Sequence, residues 1–146
     1  MNFVDGESRK WVVKFDFGTL CRIEDDLGYK ILDNPTDLPT SPRAYVEMTW
    51  VCIEKQAKEL GVSPEDFGSS IDGPAFDRLQ RCFFEELAVF FEAPKPGASA
   101  LIRKAISLSD MQQVMMERVI EQAYDEASSK LQALSASSLG DSPLGS

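Results

Sequence analysis

The chain has 146 residues, 43% of them hydrophobic and 10% aromatic, enough for one compact domain with an accessory segment and too apolar for a fully disordered protein. Its formal net charge of −9, from 24 acidic and 15 basic residues, argues against nucleic-acid binding, which draws its affinity from Lys and Arg displacing counterions. It contains no histidine, which removes the usual triads, His-ligated zinc and the commonest general base near neutral pH.

Residues 10–17, "KWVVKFDF", alternate Trp11, Val13, Phe15 and Phe17 against Val12, Lys14 and Asp16, the period of a strand with one buried face. Its expected partner is "NFV" at 2–4, returning through the turn signal Asp5-Gly6. Gly18 should break the strand, and Thr19 should cap a helix over 19–28 that ends at Gly28. Leu20, Ile23 and Leu27 share one face of that helix. The carboxylates of Glu24, Asp25 and Asp26 are consecutive, so they fan about 100° apart and do not converge on one ion.

"DNPTDLPTSP" (33–42) reads as a loop, and Ser41-Pro42 opens a helix that should run to Leu60 and stop at Gly61. The stripe Val46, Trp50, Ile53, Ala57, Leu60 is its expected buried face, widened by Tyr45, Met48 and Cys52. "SPED" (63–66) starts a short helix to about Ser70. After Asp72-Gly73-Pro74 comes the most apolar helix, with Phe76, Leu79, Phe83, Leu87 and Phe90 on one stripe and Phe84, Ala88 and Phe91 beside it. "APKPGAS" (93–99) reads as a linker, and Ser109–Gln112 as a capping box opening a long helix. That helix should set Met116, Ile120, Ala123 or Tyr124, Ala127, Leu131 and Leu134 on one face. The expected fold is mainly α: a small helical domain with a short N-terminal β-hairpin (1–92), the linker (93–99), an accessory helical region (100–134) and a disordered tail (135–146).

Chemistry finds little to use. The three cysteines, Cys21, Cys52 and Cys82, lie about thirty apart among apolar neighbours and read as buried reduced thiols. The pairs Glu65/Asp66 and Glu85/Glu86 are adjacent on helices and splayed. No phosphate-binding glycine loop is present, so no enzyme activity, cofactor or metal site is expected. No apolar run reaches the roughly 20 residues of a membrane span, and the start lacks the order of a secretory signal, so a cytoplasmic protein is expected. Two features suit a binding protein. Phe83, Phe84, Phe90 and Phe91 are either core or a groove for a partner helix, and Met111, Met115 and Met116 either dock on the domain or receive a partner.

The order of elements carries a resemblance. Phe15, Phe17, Gly18, Thr19, Leu20, Ile23 and Glu24, then Met48, Trp50, Val51 and Ile53, then Val62, Ser63, Glu65, Asp66, Phe67 and Ile71, resemble the tail assembly chaperones of long-tailed bacteriophages and related gene transfer agents, over about residues 10–92. The proline-rich loop at 33–42 and the region after 93 depart from that pattern. The resemblance implies a non-enzymatic protein of the host cytoplasm that binds the apolar helical tape-measure protein, or another phage tail protein, before tail-tube polymerisation, with self-association also allowed. The alternative is an acidic helical adaptor or DNA mimic that binds a basic partner, against which stand the interspersed Arg78, Arg81, Arg103, Lys104 and Arg118.

Overall fold

The computed structural model describes residues 1–140, with side chains through 137. It is mainly helical. The strands β1 (Asn2–Val4) and β2 (Lys10–Val12) form an antiparallel hairpin, followed by α1 (Phe17–Leu27), α2 (Pro42–Leu60), α3 (Pro64–Ser69), α4 (Gly73–Phe91) and α5 (Pro96–Gly140). Two compact units divide the chain, Met1–Ile106 and Ser107 onward.

The hairpin is built around a buried carboxylate. Phe3 pairs with Trp11, and both side chains enter the core. The connection is not a two-residue turn: Asp5 anchors a longer loop by accepting the backbone N–H groups of Glu7 and Arg9, each at 2.9 Å. Asp5 also accepts from Arg9 Nε at 2.9 Å and from the indole Nε1 of Trp11 at 2.8 Å. Gly6 is required here, because a Cβ would stand 2.7 Å from the Ser70 carbonyl oxygen that its own N–H bonds.

Burial pushes the Asp5 carboxyl up, but the hydrogen bonds from Trp11, Arg9 and Glu7 outweigh it and hold the group below its usual value. A depressed folded value stabilises the fold above the unfolded carboxylate range and ceases to do so as pH falls through the folded value. Thermal unfolding of the full chain and of Asp5→Asn should therefore differ most near neutral pH. The gap should narrow below about pH 4.

β2 is shorter than the expected strand over 10–17. β1 offers only three residues, so the regular ladder ends with one further bond from Val13 N to the Met1 carbonyl at 2.8 Å. On the outer edge of β2 the Gln56 side chain accepts from Val12 N at 2.9 Å and donates to Val12 O at 2.7 Å. Arg78 Nε donates to Val4 O at 3.0 Å.

α1 begins two residues before the expected start. Asp16, not Thr19, is the N-cap, with its side chain accepting from Thr19 N at 2.7 Å. Phe17 therefore sits in the first helical turn and is exposed, although strand alternation would have buried it. Gly28 closes the helix at φ 80°, and Gly61 closes α2 at φ 70°, both in the left-handed region that suits glycine. Ser63 and Asp72 cap α3 and α4 through Asp66 N and Ala75 N.

α2 packs against α1, α3, α4 and β2. Its buried face is rotated from the expected stripe. Ala44, Tyr45, Met48, Thr49, Ile53 and Ala57 are buried, Val46 and Trp50 are half-buried, and Leu60 is exposed. Trp50 lies tilted on Phe67, ring centroids 5.7 Å apart, while Trp11 meets the same ring edge-on at 5.6 Å.

The expected linker at 93–99 contracts to a short turn, because α5 already starts at Pro96. Its first turns belong to the first unit: Ser99 Oγ donates to Ala88 O at 2.6 Å, Ile102 is buried and Ile106 packs on the core. Lys95 Nζ reaches the carbonyls of Leu32 and Asp33 at 3.2 and 3.1 Å. The compact unit thus ends at Ile106 rather than at residue 92. No new helix starts at Ser109, since α5 is continuous there, and residues 135–140 of the expected tail are helical. The rest of that tail, 141–146, lies outside the described residues.

Candidate functional site

The four phenylalanines separate into different roles. Phe83 is fully buried, and its ring meets Phe15 at 4.9 Å and Tyr45 at 5.6 Å, both edge-on. Phe91 is buried against Phe90 at 5.0 Å. Phe84 is half-buried and contacts Tyr45 at 5.4 Å, and Phe90 is half-buried as well. Of the two readings, core or groove, Phe83 and Phe91 are core: Phe83 packs on Phe15, just before α1, and on Tyr45 of α2, both far away in sequence. A partner could reach neither without opening the domain.

The methionines present the opposite picture. Met111, Met115 and Met116 are 60%, 62% and 60% exposed. They are not alone on this part of α5. Leu108, Val114, Val119, Ile120, Tyr124, Leu131 and Leu134 are all exposed as well. Three of these, Leu108, Val114 and Val119, fall outside the stripe read from sequence, although their apolar type was the available signal. Single exposed hydrophobics are ordinary, but ten on one helical segment are an excess: at about 100° per residue Leu108, Met111, Val114, Met115 and Val119 lie on one side, and Met116, Ile120, Tyr124, Leu131 and Leu134 make a second, narrower face. A helix of this kind gains most of its stability from packing such faces, and methionine fits partners of varied shape without fixed polar geometry.

Several titratable groups elsewhere are engaged in structure. Glu24 of the acidic triplet accepts from Leu32 N at 3.0 Å, tying the following loop to α1, while Asp25 and Asp26 face solvent. Glu85 pairs with Arg81 at 3.2 Å and Glu86 with the Met1 amino group at 2.6 Å. Among the described residues no group of three metal-ligating side chains converges. Burial, first, pushes the thiol of Cys52 far up, with the neighbouring Cys82 adding to it. Burial likewise raises Cys82 to about 11 and Tyr45 to about 12, whose hydroxyl donates to Pro39 O at 2.6 Å. Both buried thiols are thus protonated at neutral pH and poor nucleophiles. A shallow depression of about 300 Å³ is lined by Arg22, Glu54, Lys55 and Lys58, with Arg22 bonded to Glu54. Its walls are four charged side chains, where an organic-ligand site is lined mostly by hydrophobic and aromatic ones.

Comparison with known protein families, characterised proteins and solved structures finds no match to this chain. Among the described residues, no helix is long and apolar enough to cross a membrane.

Proposed function

We propose that this protein is a tail assembly chaperone. It would hold an apolar helical segment of a tape-measure protein in the host cytoplasm until the tail tube polymerises around it. The observation that carries the reading is the number of exposed apolar side chains on α5 between Leu108 and Leu134, which a folded chain keeps in water only at a cost. The resemblance of residues 10–92 to that chaperone family supplies the partner's identity. The acidic balance suits a carrier of this kind, since net charge far from zero keeps a sticky surface soluble.

Co-expression with the tape-measure protein tests the proposal. The partner should stay soluble and co-purify with the full chain. The double variant Met115→Asp/Met116→Asp should lose it, with a melting temperature within about a degree of the parent, because both side chains are already exposed. A tape-measure protein that is equally soluble alone, together with capture of a basic DNA-binding protein, would replace this reading with that of a DNA mimic.

A further inference from the structure

The Met116–Leu134 face of α5 has an all-acidic border on one side, while the other side carries the mixed pair Glu126 and Lys130. Successive helical residues advance about 100°, so Glu117, Glu121 and Asp125, spaced by four, form a ridge within about 80° of arc. The ridge lies next to Tyr124 and along the face made by Met116, Ile120, Ala123, Ala127, Leu131 and Leu134. Lys130 lies toward the opposite border. All three ridge residues are exposed, and among the described residues none makes an ion pair, Arg118 included. Like charges four apart destabilise a helix that stands by itself, so the arrangement works against the free state and in favour of a cationic neighbour.

We infer that this surface takes an amphipathic helix bearing Lys or Arg along one edge. Apolar side chains of that helix would cover the Met116–Leu134 face, and its cations would lie along Glu117, Glu121 and Asp125. The central positions Ala123 and Ala127 are small and exposed, leaving room for large partner side chains between Ile120 and Leu131. The steps of 4, 3, 4, 4 and 3 from Met116 to Leu134 repeat over eleven residues. That period keeps the face nearly straight along the helix, so one uninterrupted partner helix can follow it. A second copy of this chain fits less well. An antiparallel pairing would set ridge against ridge, and each copy carries a net charge of −9. The inference rests on the helix-holding reading above and names the chemistry of its partner.

The test uses the full chain and three synthetic helical peptides with one Leu/Ala face. They differ only at three edge positions spaced by four, which carry Lys, Gln or Glu. Fluorescence anisotropy should show the Lys-edged peptide binding about tenfold more tightly than the Gln-edged one at low salt, the sum of three modest ion pairs. The Glu-edged peptide should bind more weakly still. High salt should remove the preference, as should the variant Glu117→Gln/Glu121→Gln/Asp125→Asn, while Ile120→Asp should weaken binding of every peptide. Equal affinity for Lys- and Gln-edged peptides would overturn the ridge's role and leave the helix-holding reading in place. Binding of none of them would overturn both. Concentration-dependent dimerisation of the chain, abolished by Ile120→Asp, would make a second copy the occupant and overturn the inference.

Discussion

Replacing Trp11 with Ala should destabilise the Met1–Ile106 unit by about 3–5 kcal/mol, a large part of the stability of a domain this size. Trp11 is wholly buried, meets Phe67 edge-on at 5.6 Å and supplies the indole N–H that Asp5 accepts at 2.8 Å. Its loss would open a cavity at the base of the hairpin and leave the Asp5 carboxylate with one charge-stabilising bond fewer. Trp50 provides the control. It shares Phe67 with Trp11 but is only half-buried, so Trp50→Ala should cost roughly half as much. Urea unfolding of both variants, followed by circular dichroism, gives the comparison. Equal losses would mean that Trp11 is no more enclosed than Trp50.

The second large effect is expected at Phe83. Phe83→Ala empties a fully enclosed site bounded by Phe15, Tyr45 and Phe84, at about 3–5 kcal/mol. Any loss of partner binding should then follow the loss of folding, and binding should return when the variant is refolded at low temperature or with a stabilising osmolyte. Loss of binding in a variant with an unchanged unfolding midpoint would put Phe83 back at an interface. Phe83 and Met115 thus separate packing from the proposed recognition, because only the first is buried.

The helices could be read from the sequence because their ends carry local chemistry. Ser41-Pro42 and Ser63-Pro64 announce helix starts, and Gly28 and Gly61 supply the left-handed backbone that ends α1 and α2. Which side of a helix faces inward is a less local matter. α2 is flanked by three helices and a strand, so nearly every apolar residue on it has a neighbour, and spacing alone favoured Trp50 over Thr49. The phenylalanines of α4 illustrate the same point, since Phe83 is enclosed by Phe15 and Tyr45, residues more than thirty positions away. The start of α1 was misplaced because Asp16 closes an alternating run and also caps a helix, and only the second role survives folding. The Asp5 hub was visible as a turn residue, but its burial depends on Trp11 of β2 and on Arg9 just before that strand. The methionines were the legible part of the candidate site, because methionine in a helical segment rich in apolar residues is informative in itself.

The Gln56 amide on β2 bears on how this protein can meet other chains. A primary amide has the donor and acceptor of a peptide unit, and here it takes both outward-facing groups of Val12, where a third strand would otherwise bond. An extended peptide seeking to lengthen the hairpin would have to displace it first. Recognition by strand addition is thereby disfavoured at this rung, and so is edge-to-edge stacking of copies made at high concentration. A protein that keeps an oily helical face in water benefits from having its other adhesive element closed, because selectivity then rests on side-chain shape and charge rather than on backbone that any chain could match.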